Sequence, residues 1–361
     1  MTDKQLNFIK TKDIINYKQL LIDYPWITKN NPKCILSPDS DGFLCGLLTT
    51  NFLNGEIVGF YDGKVLIIRN DVNIYDSIFY DMEINRNSIK SIGQHLVTWN
   101  NNLLNRQNLS NCINPNNIRK IQGKPMSPTP QPPMLQNFQR KYPFGTIHFL
   151  IGILSETGLI KNIKNDAIWP FLFTDGTWNN LFGYTENCLE WINYLRINDS
   201  EHLLNKFFCS SDYSFYSIME GINDFLRKRD GCNAVGTYKN GLYEIGGRNK
   251  RTGDKLKLST PQGDVINLVK DIDLYKIHEK ETSRIISFIN IMASLTGWEY
   301  IDSRWSWDKF NLYKFTKQDF NNPSRNLNNT TFEELIDMNP ISLAMTSGDN
   351  IQYTIEGPDE L

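Results

Sequence analysis

The chain is poor in the residues that most directly signal a function. Only four of its 361 residues are histidine and six are cysteine, and no two cysteines (34, 45, 112, 188, 209, 232) stand in Cys-x-x-Cys spacing. That argues against a zinc ribbon and a dense disulfide scaffold, and makes reduced thiols in a cytoplasmic protein the expectation. Charge of one sign is not in excess. Lys+Arg 38 against Asp+Glu 40 gives a net charge of −2, which excludes a protein that coats nucleic acid through bulk basicity. No apolar run approaches the roughly 20 residues of a membrane span, and Met1–Lys10 lacks the apolar core of a signal peptide. Several motifs are missing too. There is no G-x-x-x-x-G-K-[ST], no G-x-S-x-G and no Rossmann glycine fingerprint, and His278-Glu279 is followed by Thr282 where a zinc protease has its second histidine. No internal repeat is visible.

The composition is that of a folded chain, 40% hydrophobic and 12% aromatic, long enough for two domains. After a helical lead-in over residues 1–30, Lys33-Cys-Ile-Leu36 reads as a strand, Ser37–Gly42 as a tight turn and Phe43–Leu53 as a helix. Further strands are expected at Glu56–Tyr61, Val65–Ile68 and Ser77–Tyr80. Strands alternating with a helix predict an α/β sheet whose sites lie where loops leave the carboxyl ends of parallel strands. Residues 100–143 hold seven of the fifteen prolines and read as an extended loop. Helical patterning resumes at 144–159, 187–195, 201–208, 211–228 and 279–295. Hairpins are expected over 232–270, with turns at Asn240-Gly241 and Gly246-Gly247. Strands follow in the aromatic stretch 298–315, and a polar tail over 316–361. The domain reading is 1–210, 211–315 and the tail, with a smaller α+β unit following the parallel-sheet one.

Acidic residues concentrate between Ser37 and Glu83, where eight acids face only Lys64 and Arg69. Asp39 and Asp41 follow the first strand and Asp81 follows the fourth, so parallel strands would bring all three to one edge. Gathered carboxylates repel and raise each other's pKa, a penalty that a hard divalent cation removes. His95 comes fourteen residues beyond Asp81, and an imidazole beside carboxylates tilts the preference from Mg²⁺ toward Mn²⁺. Two such ions ~4 Å apart clamp a phosphate and generate hydroxide.

The order of these residues resembles the DHH phosphoesterase superfamily, which includes RecJ-type exonucleases, oligoribonucleases and family II pyrophosphatases. Pro38-Asp39-Ser40-Asp41-Gly42 stands for the first motif, Asp81 for the second, and Gly93-Gln94-His95 for the D-H-H that names the family. Thr174-Asp175-Gly176 stands for the fourth. The third motif lacks its aspartate and one histidine, and the first lacks its leading histidine. The resemblance covers roughly residues 33–180. It implies a parallel-sheet domain in which Asp39, Asp41, Asp81, His95 and Asp175 hold Mn²⁺ or Mg²⁺, with Asp41 and His95 catalytic. The expected substrate is a phosphodiester, such as a short single-stranded DNA or RNA or a nucleotide, or a phosphoanhydride.

A basic stretch complements the acidic one. Nine bases lie between Arg227 and Lys257 with Tyr238 and Tyr243 interleaved, and Arg227, Lys228, Arg229, Arg248, Lys250 and Arg251 are the candidate substrate contacts. Plainer readings stand beside these. Asp39 and Asp41 also suit an Asx-turn and helix N-cap, Asp81 a solvated strand end, His95 and His148 core histidines, Asp175-Gly176 a turn, and the basic stretch a solvated hairpin. The missing third-motif residues leave room for a non-catalytic binding or assembly protein on the same scaffold, or for an unrelated α/β protein.

Overall fold

The computed structural model describes residues 13–97, 109–121, 124–125, 135–136, 140–160, 163–232, 237–239, 242–244, 253–319, 337–347 and 350–357. Residues 1–12 of the helical lead-in, much of the proline-rich loop and both expected turns of the 232–270 hairpins lie outside them.

The short apolar runs form strands as their composition requires. β1 (Lys33–Leu36), β2 (Glu56–Tyr61), β3 (Val65–Arg69), β4 (Ser77–Tyr80), β5 (Lys90–Ile92) and β6 (Cys112–Ile113) belong to one sheet. Two short ribbons pair β7 (Lys124–Pro125) with β8 (Leu135–Gln136), and β9 (Thr237–Lys239) with β10 (Leu242–Glu244). β11 (Leu268–Asp271), β12 (Leu274–Ile277) and β13 (Phe310–Lys314) complete the main sheet, whose order is β11-β12-β13-β3-β2-β1-β4-β5-β6.

β2, β1, β4, β5 and β6 run parallel, while β3, β12 and β11 join through antiparallel pairings. The chain is therefore α/β with a nine-stranded mixed sheet rather than a purely parallel one. Strands from residues 268–314 extend the same sheet as the first six.

Past their polar first residues, Lys33, Glu56 and Ser77, the central strands β1, β2 and β4 carry no polar side chain before they end in Leu36, Tyr61 and Tyr80, because both faces are covered. Cys34, Leu36, Ile78 and Tyr80 pack on one face and Ile35, Val58 and Phe79 on the other, the two-residue alternation of a pleated strand. At Gly59 the partner strand comes so close that a Cβ would lie 2.2 Å from the Ile67 carbonyl oxygen, and the β1–β2 register shifts there.

The helices that frame the parallel half are α1 (Tyr17–Asp23), α2 (Ser40–Phe52), α3 (Thr146–Ser155), α4 (Ile168–Phe173), α5 (Thr177–Gly183), α6 (Thr185–Tyr194), α7 (Phe215–Cys232) and α8 (Glu279–Thr296). α2 and α3 are buried all round, which explains apolar residues on every side of both. α8 is amphipathic and ends at Gly297, whose φ of 80° is the left-handed stop that glycine takes without strain.

Residues 316–361, read from sequence as a polar tail, contain a second sheet. β14 (Thr316–Asp319), β15 (Ser342–Ser347) and β16 (Asn350–Glu356) pair antiparallel in the order β14-β16-β15. Asn85 N–H donates to the Ile341 carbonyl and Thr354 Oγ1 to the Gly63 carbonyl, which docks this sheet beside the loops after β4 and β2. Among the described residues no helix is long and apolar enough to cross a membrane.

Candidate metal centre

The site begins where β1 ends. Ser37 N–H still bonds the Tyr80 carbonyl of β4, so the turns after the two parallel strands start side by side. Asp39 caps α2, its Oδ1 accepting from Gly42 N–H at 3.4 Å. Gly42 is required, since a Cβ would lie 2.1 Å from the Ser37 carbonyl oxygen. Asp41 follows in the first turn of the helix, its side chain fully buried. The N-terminus of α3 meets it there. Thr146 N–H and Ile147 N–H donate to its two oxygens at 2.5 and 2.9 Å, as a helix N-terminus favours for an anion. Gly145 permits this approach, because a Cβ would sit 2.9 Å from Asp41 Oδ2.

Asp81 leaves β4 with a left-handed φ of 64°, and Asp175, between α4 and α5, has a φ of 50°. Aspartate tolerates that region better than most residues, and such strain concentrates at functional sites. Asp81 Oδ1 accepts from Thr146 Oγ1 at 2.9 Å and Oδ2 from Ser37 Oγ at 2.6 Å. Gln94 Nε2 donates to Asp175 Oδ2 at 2.6 Å.

His95 follows β5 and turns its ring between two acids. Nε2 lies 3.6 Å from Asp81 Oδ1, and Nδ1 lies 3.3 Å from Glu83 Oε2. Glu83 is 1% exposed. Its Oε1 accepts from His95 N–H, Leu96 N–H and Asn114 Nδ2. Gly93 makes room for it, since a Cβ there would fall 2.8 Å from Glu83 Oε2.

Asp81, His95 and Asp175 each offer one ligand atom, all within 4.8 Å of one another. Asp41 joins this group by side-chain contact with Asp81 and Asp175. Asp39 stands at the margin as a helix cap, with Lys255 Nζ 4.0 Å from its Oδ2.

The electrostatics follow from the crowding. Burial and then repulsion from Asp175 push Asp41 well above the carboxylate range, while Ile147 N–H opposes the rise. Burial and then Asp41 do the same to Asp81, against the pull of His95. Asp175 keeps solvent-accessible surface, yet the protein around it removes enough hydration to raise it too. His95 opposes that rise and Asp39 adds to it. Burial would lower His95, but Asp81 and Glu83 outweigh it and carry the imidazole up to about 9. The group thus holds protons where isolated carboxylates would not. A divalent cation displaces such protons, and two carboxylates with an imidazole are a donor set that accepts one.

Three of the six basic residues expected to meet a substrate fall within the described residues. Arg227, Lys228 and Arg229 lie on α7, and none of them lines the cleft beside the carboxylates. Helical spacing turns Arg229 inward, where it pairs with Asp230 at 2.7 Å and stacks on Phe173. Lys228 pairs with Asp224 one turn away. Arg248, Lys250 and Arg251 lie outside the described residues. His148 is a core histidine, edge-on to Phe171, and burial lowers it to about 4.

The sequence reading passed over Glu83, Gln94, Asn114, Lys141 and Thr146. Two of them carried a signal, Glu83 standing two residues after Asp81 and Gln94 next to His95. Asn114 and Asn116 belong to the stretch read as a loop. There Asn116 Nδ2 bonds the Gln94 and Leu96 carbonyls and its Oδ1 accepts from Tyr142 N–H, so this part of the loop braces the site. No family model, no curated protein and no solved structure matched the chain.

Proposed function

We propose that the chain is a divalent-metal-dependent phosphoesterase of the DHH type, hydrolysing a phosphodiester or a phosphoanhydride. The observation that carries this reading is the convergence of Asp81, His95 and Asp175 at the carboxyl edge of parallel strands. Mn²⁺ or Mg²⁺ would be held by these three, with Asp41 alongside. When bound, the ion would polarise a phosphoryl oxygen and lower the pKa of water. The chain's own groups do the rest. Glu83 holds Nδ1 of His95 and leaves Nε2 facing Asp81. Gln94 fixes Asp175, and Thr146 and Ser37 fix Asp81. Lys255 beside Asp39 balances the added charge of a phosphate, and Lys141, whose pKa burial lowers against the pull of Glu83, Asp175 and Asp81, stands near the same acids.

One observation favours the alternative, a non-catalytic binding or assembly protein. Both Asp41 oxygens are already committed to main-chain N–H groups of α3. Purified protein incubated with Mn²⁺ and either bis(4-nitrophenyl) phosphate or labelled oligonucleotides separates the two. The phosphoesterase reading expects about one Mn²⁺ or more per chain and cleavage that Asp81→Asn abolishes, with an unchanged circular dichroism spectrum. Cleavage by Asp81→Asn at the wild-type rate overturns the site. Less than one Mn²⁺ per chain without cleavage supports the binding protein.

A further inference from the structure

The cleft beside the carboxylates, about 340 Å³ in volume, extends well past them. β4, β1 and β2 are successive neighbours, so the turns after them stand in a row. With strands roughly 4.8 Å apart, the loop after β2 lies about 10 Å from Asp81.

Along that row the lining changes sign. Asp39, Asp81, Glu83 and His95 line one end, and Lys64, Lys257 and Lys317 line the other. The lysine end is assembled from three stretches of chain. Gly63 and Lys64 come from the β2–β3 turn, and a Cβ on Gly63 would lie 3.1 Å from Lys317 Nζ of β14. Lys64 Nζ bonds the Thr260 carbonyl at 2.6 Å. Lys255 and Lys257 alternate with buried Leu256 and Leu258, so both lysines face outward from one extended segment. Leu256 N–H bonds the Pro38 carbonyl and fixes that segment against the β1 turn.

Among the described residues that line this end, the acid is Asp62. Its Oδ1 accepts from Lys64 N–H and Val65 N–H and its Oδ2 from Ser259 Oγ, which turns both oxygens to structural use. The C-terminal sheet forms the far wall with Ser342 and Thr354, Ser342 Oγ lying 3.1 Å from Tyr61 Oη.

We propose that this lysine-lined end is a second phosphate subsite, so that the substrate is a phosphoester carrying another phosphate about one nucleoside away. The inference rests on the phosphoesterase reading and narrows it, because inorganic pyrophosphate is too short to meet both ends. Cations grouped in a half-enclosed cleft strengthen hydrogen bonds to an anion, and the spacing decides which anions use both ends.

The test is equilibrium binding to the full chain in EDTA at low ionic strength. The probes are two thymidine dinucleotides that differ only in a 5′-phosphate or a 5′-hydroxyl. Wild type should prefer the phosphorylated probe roughly tenfold, and Lys317→Met and Lys257→Gln should each cut that preference to about threefold or less. Lys257 is exposed, so its variant reports on the subsite without a folding risk. Equal affinity of wild type for the two probes, no binding of either at millimolar concentration, or a preference kept by both variants overturns the subsite. Lack of hydrolysis with Mn²⁺ overturns the phosphoesterase reading instead, and the 5′-phosphate preference stays measurable.

Discussion

Replacing Glu83 by glutamine tests how the imidazole of His95 is prepared to bind an ion. Three donors converge on Glu83 Oε1: His95 N–H at 2.7 Å, Leu96 N–H at 3.2 Å and Asn114 Nδ2 at 2.6 Å. In the variant that atom must be the amide oxygen, so the new NH₂ takes the place of Oε2, 3.3 Å from His95 Nδ1. An NH₂ donates, so Nδ1 must accept and the ring proton moves to Nε2. That nitrogen faces Asp81 Oδ1 at 3.6 Å and is the one available to a cation. A protonated nitrogen is no ligand. Loss of an outer partner of this kind weakens metal affinity by about 10–100-fold, or about 1.4–2.7 kcal/mol. Calorimetric titration with Mn²⁺ at pH 7.5 measures the affinity, and ¹⁵N shifts of the imidazole identify the tautomer. Unchanged Mn²⁺ affinity together with an unchanged tautomer would refute the argument that Glu83 orients His95.

Removing a repelling carboxylate should help the metal-free chain and harm the loaded one. Asp175→Asn should raise the melting temperature in EDTA and lower Mn²⁺ affinity at least about tenfold. A lower melting temperature in EDTA would show that the carboxylates do not repel. Gly145→Ala should cost about 1–3 kcal/mol in denaturant unfolding, because its Cβ would press on an Asp41 carboxylate that two amides hold in place. Wild-type stability in that variant would mean that Asp41 moves freely. The pH dependence has a definite sign. His95 rises from 6.5 to about 9, and Asp41, Asp81 and Asp175 are raised as well. Each binds its proton more tightly folded than unfolded, so its contribution is full below the unfolded pKa and is lost as pH rises through the folded one. The melting temperature in EDTA should therefore fall from pH 7 to pH 9, and saturating Mn²⁺ should flatten the fall. Below pH 6.5 His148 and His202, lowered to about 4 by burial, act in the opposite sense and close the window. A flat profile in EDTA between pH 7 and 9 would show that the cluster does not govern stability.

Legibility in the sequence followed from how each residue is used. β1, β2 and β4 are short apolar runs bounded by turn residues, and a strand covered on both faces writes itself as an unbroken run. Strand direction leaves no such mark. Nothing in Val65–Arg69 or Phe310–Lys314 distinguishes an antiparallel neighbour from a parallel one, so the mixed sheet stayed hidden. The β11–β12 hairpin is half exposed, with one buried strand residue, and carries little alternation. β16 did carry it, in Ile351, Tyr353 and Ile355, but the polar residues on either side masked a period of two. At the site, the acids after β1 and β4 were legible because a sheet's parallel edge gathers whatever follows its strands. Their division of labour was not. Asp39 and Asp41 are two residues apart, yet one caps its own helix and the other is met by a helix more than a hundred residues later. Spacing along a chain states which groups arrive at an edge. Which of them stays available to a cation depends on the donors that reach it from elsewhere. For Asp41 those donors are Thr146 and Ile147, and for His95 the decisive partner is the buried Glu83, whose place two residues after Asp81 puts it near the edge without marking it as the acid that holds the imidazole.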